Sequence, residues 1–306
     1  MSAPVIIAKS PNSALKSAIS RHPLVAFFVL AFGLTWPFMI ADALGSWGLL
    51  PFRLTLAGPG IVVVLLMGFG PTFAALIVTS ATSGKAGIRA LLSRLLTWRV
   101  GIQWYIAAIL GTFSLFFGAA QLYTLLGGTL RTIPPFSAGL ILMVLVSLLA
   151  HGLLNGEELG WRGVALPQLL TDHSALAASL ILGVIWFLFH LPLFFTRGGG
   201  VGGDQANTPV LAFLATTLAS SVLVTWLYNN TRGSVLFAYL FHAAVNTWPD
   251  LFHSAAPDPV MAWLQAGLFG LAALSVMAVF GPERLSRKPV SDLTIPTDVS
   301  TLQHSA

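Results

Sequence analysis

The sequence predicts an all-α, polytopic membrane protein of about eight transmembrane helices with a polar site inside the bundle. Three observations carry this. Hydrophobic residues make up 56% of the 306-residue chain and charged residues only 8%, whereas a soluble domain is about 25% charged. The apolar runs continue for about twenty residues, the length a spanning helix needs. A transmembrane β-barrel would instead alternate over about ten. Lys and Arg also sort by side, as an α-helical membrane topology requires.

The expected spans are 23–43, 59–81, 102–126, 136–155, 175–196, 208–228, 234–250 and 260–281. The seventh is short and polar at its end, which fits a helix lining a protein interior. Lys9, Lys16, Arg21, Lys85, Arg89, Arg94, Arg99, Arg162, Arg232, Arg284, Arg287 and Lys288 fall on one side, twelve of the fifteen. Arg53, Arg131 and Arg197 fall on the other. Eight spans in the cell (inner) membrane, with both termini cytoplasmic, follow from that split.

Residues 1–22 read as a cytoplasmic segment with no cleavable signal, 23–282 as one transmembrane domain, and 283–306 as a disordered cytoplasmic tail rich in Ser, Thr and Pro. Arginines recur among leucines over 86–98, which predicts an amphipathic helix on the cytoplasmic face. Gly198-Gly199-Gly200-Val201-Gly202-Gly203 predicts a flexible outer loop and lacks the lysine of a phosphate-binding loop. Cysteine is absent, which excludes disulfides, thiolate metal sites and cysteine nucleophiles. The net charge of +5 lies in short loops and marks topology, so no nucleic-acid partner is expected.

Ionisable groups at membrane depth are costly and usually functional. Three pieces stand out: Glu157-Glu158-Leu159-Gly160-Trp161-Arg162, then Trp186-Phe187-Leu188-Phe189-His190, then His242-Ala243-Ala244-Val245-Asn246. Glu158 and Arg162 are four apart and face each other on a helix. Glu157 points about 100° away, which leaves it free to take a proton from water. Trp186 shares a face with His190, and His242 shares one with Asn246. The imidazole and amide of the last pair suit a metal, or a water and an oxyanion, or plain helix–helix hydrogen bonding. His151 lies off the face of Glu157 and suits a helix contact. Ser174 predicts the N-cap of the fifth span, and His253 and His304 suit solvent. Straight helices leave His190 and Glu157 at different depths. The fourth span must therefore be longer and tilted, or the fifth must begin later, if the pieces are to meet.

Glu-Glu-x-x-x-Arg, aromatic-x-x-x-His and His-x-x-x-Asn, in this order over about 140–250, resemble the CPBP family of intramembrane proteases. That family is also called the CAAX protease and bacteriocin-processing, or Abi, family. It includes the type II CAAX prenyl endopeptidases, which trim the last three residues from prenylated proteins. Trp186 stands where the family often has Phe. The resemblance implies that Glu157 activates the hydrolytic water and His190 assists it. It implies that His242 and Asn246 hold a metal or stabilise an oxyanion, and that Glu158 and Arg162 keep the motif in shape. If zinc is bound, Glu157, His190 and His242 are the implied ligands. The implied partners are membrane lipid and a peptide or protein substrate, prenylated or regulatory. Two other functions use the same residues: a non-catalytic scaffold or bacteriocin immunity factor, and a proton- or ion-coupled transporter. No paired broken helices favour the transporter.

Overall fold

The computed structural model describes residues 11–52, 60–132, 135–197, 205, 207–252, 254 and 257–287. Helix α1 (Pro11–Arg21) leads into α2 (Pro23–Ser46), which opens on a proline, a residue whose missing N–H costs nothing at that position. Helix α3 (Gly60–Ser93) is kinked at Gly84, where φ is 59°, an angle that glycine adopts without a Cβ clash. Helix α4 (Ile102–Leu125) contains a π-helical turn at Ile106–Gly111. Helix α5 (Ala138–Leu154) is capped by Ser137, whose hydroxyl accepts from the Leu140 N–H. Helix α6 (Glu158–Asp172) follows after a bend of 55° and contains a second π-helical turn at Trp161–Ala165.

Helix α7 (Ala175–His190) is capped by Ser174 as the sequence predicts, and a 3-10 turn extends it over Leu191–Phe195. Helices α8 (Val210–Asn230), α9 (Val235–Phe252) and α10 (Pro259–Phe280) complete the order. No strand forms among the described residues; an isolated bridge joins Leu130 and Ser254.

A helix therefore stands at each of the eight expected places, while the expected count of eight spans is not confirmed among the described residues. Five helices among the described residues are long and apolar enough to cross a membrane, or six if the bent α5–α6 pair is one span. Helices α3 and α9 are not among them. Helix α9 carries His242, Asn246 and Asp250, and the side chains at the start of α3 lie outside the described residues. The fold is that of an all-α integral membrane protein. Its outer faces agree: α5 buries no residue, and its Leu142, Leu149 and Leu153 are exposed, as are Leu271 and Leu274 on α10.

The expected amphipathic segment continues α3 beyond Gly84 and ends in a 3-10 turn at Arg94–Leu96. Arg94 Nη1 donates to the Gly163 carbonyl at 3.0 Å, inside the π-helical turn of α6. The expected disordered tail does not begin at 283. Leu285 is fully buried, Asn229 donates to the Arg284 carbonyl, and Asn230 donates to the Leu285 carbonyl. Residues 1–10, 198–204, His253 and 288–306, with His304 among them, lie outside the described residues.

Two buried apolar clusters build the interior. One joins α2, α3, the Trp161 segment and α7; the other joins α4, α8, α9 and α10. Helix α6 enters between them because two glycines let it touch α3. A Cβ on Gly156 would lie 2.4 Å from the Phe69 ring, and one on Gly160 would lie 2.6 Å from the Pro71 carbonyl oxygen. Small residues four apart are a common device for close approach of membrane helices. The Pro71 backbone cannot swing away, so Gly160→Ala is expected to cost about 1–3 kcal/mol. Thermal unfolding in detergent reads this as a lowered midpoint, and an unmoved midpoint would contradict the close contact.

Candidate active site

The chain turns into the site at Asn155-Gly156. Asn155 ends α5, and its Oδ1 accepts from the Glu157 N–H at 3.1 Å, a local turn that asparagine favours. Thr72 on α3 donates its hydroxyl to the Gly156 carbonyl at 2.5 Å. The depth mismatch of straight helices is resolved here. The helix is neither longer nor merely tilted; it breaks, bends by 55° and carries the acidic pair inward on α6.

The two carboxylates then take different partners. Glu158 and Arg162 are both fully buried, and Arg162 Nη1 donates to Glu158 Oε1 at 3.0 Å. His242 Nδ1 lies 2.8 Å from the same oxygen. Glu157 is buried with them. Its Oε2 accepts from two indoles, Trp161 Nε1 and Trp186 Nε1, each at 2.9 Å. Its Oε1 lies 3.6 Å from His190 Nε2. Glu157 is thus not left free, as its helical phase suggests, but held on one oxygen. Trp161 is the residue sequence reasoning missed. The signal was present, since it sits four residues after Glu157, but its bulk reads as core.

Both imidazoles are oriented through Nδ1. His190 Nδ1 is 2.9 Å from the Trp186 carbonyl. A carbonyl only accepts, so Nδ1 carries the proton and the neutral ring keeps its Nε2 lone pair. His242 Nδ1 likewise donates to the Glu158 carboxylate. Trp186 lies among all of these groups. The Arg162 guanidinium sits 4.7 Å over its ring, and the His190 and His242 rings approach it at 6.1 and 5.2 Å between centroids. Arg162 Nε and Nη2 have no hydrogen-bond acceptor, so the indole face is their compensation.

Asn246, one turn beyond His242 on α9, is half-buried and makes no hydrogen bond to this cluster. His151 stands apart, with its Nε2 3.8 Å from Asp250 Oδ2 on α9, the helix contact its position suggests.

The expected three-ligand set of Glu157, His190 and His242 does not form a cluster able to hold a metal, and no such group occurs among the described residues. Two indoles hold one oxygen of Glu157, and Glu158 holds Nδ1 of His242; these contacts leave the other Glu157 oxygen and the Nε2 atoms of both imidazoles outside them.

An apolar groove of about 450 Å³ takes part of its lining from Leu191 and Pro192, which follow His190 in the chain. Trp36, Ile40, Trp47, Leu191, Pro192 and Phe195 line it, and the Trp36 indole donates to the Phe189 carbonyl at 3.0 Å.

With this geometry in place, the likeness to known proteins is informative. Residues 137–248 match the family described as type II CAAX prenyl endopeptidase Rce1-like. Within that stretch lie Glu157, Glu158, Trp161, Arg162, Trp186, His190, His242 and Asn246. A stretch of 123 residues, 40% of this chain, is 28% identical to the CAAX prenyl protease 2 of Methanococcus maripaludis. It spans 44% of that protein, less than half its length. Both findings support the CAAX protease family assignment for this region that the three motifs suggest.

Proposed function

We propose that this protein is an intramembrane endopeptidase that hydrolyses a peptide bond of a membrane-associated substrate with water activated by Glu157. The observation that carries this is the placing of Glu157 Oε1 beside His190 Nε2 at 3.6 Å while Oε2 is held by two indoles. One oxygen is anchored and the other faces an imidazole whose far nitrogen is fixed. Such a pair can take a proton from water and return it to a leaving amine.

Hydrolysis then balances simply. The hydroxyl adds to the scissile carbonyl carbon, Glu157 receives the proton, and His190 stabilises the transfer. The C–N bond breaks as that proton reaches the amine nitrogen. The developing oxyanion needs donors. The Asn246 amide, uncommitted on the same helix as His242, can supply one, and a protonated His242 Nε2 can supply another. Glu158 and Arg162 orient His242 and stay outside the reacting atoms. Every step in this scheme is carried by the chain's own side chains.

The apolar groove supports a lipid-modified substrate. A prenylated C-terminal peptide would lay its apolar chain along Trp36, Ile40 and Phe195 and present its peptide next to His190. The Lys and Arg asymmetry supports a cell-membrane protein with both termini on the cytoplasmic side, where such a substrate is met.

The test is cleavage by the purified protein in lipid vesicles of a farnesylated C-terminal peptide and its unmodified counterpart. Cleavage of the farnesylated peptide is expected, with a rate unchanged within about twofold by 1,10-phenanthroline. No cleavage of either peptide would refute the endopeptidase. Loss of activity to the chelator and its return with zinc would refute the metal-free route.

A further inference from the structure

We propose that Trp161 and Trp186 are positioning residues that lock the Glu157 carboxylate in one rotation and so select Oε1 as its single working oxygen. The proposal deepens the peptidase function and rests on it.

A carboxylate is symmetric and flips freely unless its oxygens differ in their partners. Here both indole N–H donors fall on Oε2, and only Oε1 faces His190. The two donors arrive from different elements. Trp161 is one helical turn along α6 from Glu157, and Trp186 is on α7. A slide of one helix against the other therefore breaks one of the two bonds.

Neither indole is free to turn. The Trp161 ring is fully buried, with edge contacts to Phe27 at 5.5 Å and Phe189 at 5.2 Å. Trp186 is fixed by the Arg162 guanidinium on its face and the His242 ring against it. It thereby couples the Glu157–His190 pair, which it hydrogen-bonds, to the Glu158–Arg162–His242 group, which packs on its ring. A core-packing role alone would be served by any large ring at both places. Two N–H groups converging on one buried oxygen serve no packing need.

The test removes the N–H and keeps the ring. Trp161→Phe and Trp186→Phe are each expected to lower kcat roughly tenfold or more, the worth of one hydrogen bond to a charged group, with KM moved less than about twofold. β-(3-Benzothienyl)alanine at 161 keeps the tryptophan shape without the donor and should show the same loss of kcat. A readout independent of catalysis comes from the indole 15N–1H resonances of the full chain. Glu157→Ala should shift those of Trp161 and Trp186. That of Trp248, held by the Ile109 carbonyl and Thr112 hydroxyl, should not move. Unshifted resonances, or parental kcat in the benzothienyl variant, would overturn the clamp. A protein that cleaves no peptide at all sinks the peptidase function alone, and the resonances still decide the clamp.

Discussion

Arg162→Ala will destabilise the protein by about 3–5 kcal/mol, because it leaves a fully buried carboxylate without its cation. Glu158 and Arg162 are both shielded from solvent, and Glu158 Oε2 already has no hydrogen-bond partner. Removing the guanidinium leaves His242 as the one remaining ion-pair partner of Glu158 among the described residues and empties the space over Trp186. The protein should lose its folded yield in mild detergent, or unfold at a much lower temperature. Arg162→Lys should recover only part of the loss, since an ammonium lacks the planar face that stacks on the indole. A thermal midpoint within about one degree of the parent would show that the buried pair does not hold this segment.

Glu157→Gln will leave the helical bundle intact and lower peptide cleavage by about 10²–10⁴-fold, the usual contribution of a positioned general base. The amide is nearly isosteric, and its oxygen can still accept from an indole, so the fold should tolerate it. It cannot take a proton from water. The loss should appear in kcat, with KM near the parental value, since Glu157 acts on the water and not on substrate binding. His190→Ala should fall in the same direction by a smaller factor. Circular dichroism and thermal midpoints of both variants distinguish a chemical loss from an unfolded one.

The helix positions and the local pairs were legible because they depend on spacing alone. Glu158 meets Arg162 and Trp186 meets His190 one turn away, as period 3.6 requires. Which carboxylate meets which imidazole was not legible. Glu157 pairs with His190, and Glu158 with His242, through contacts between separate helices that no local period encodes. The break at Asn155-Gly156 carried its own turn signal, yet the apolar run before it read as the end of a straight span. Only the close approach of Gly156 and Gly160 to α3 shows why the chain must bend there. Trp161 was hidden for a related reason: its ring packs as core on Phe27 and Phe189, and nothing in the sequence shows that its N–H points to Glu157. The metal set illustrates the same limit: types of ligand are visible in sequence and their convergence is not.

The most direct measurement is single-turnover cleavage of a farnesylated peptide in H₂¹⁸O by purified parent and Glu157→Gln, followed by mass spectrometry of the products. The account predicts that the parent places one ¹⁸O in the new C-terminal carboxylate and that the glutamine variant, folded and inserted in the same vesicles, yields almost no labelled product. Equal labelling by both proteins would show that Glu157 does not activate the water, and would contradict the account.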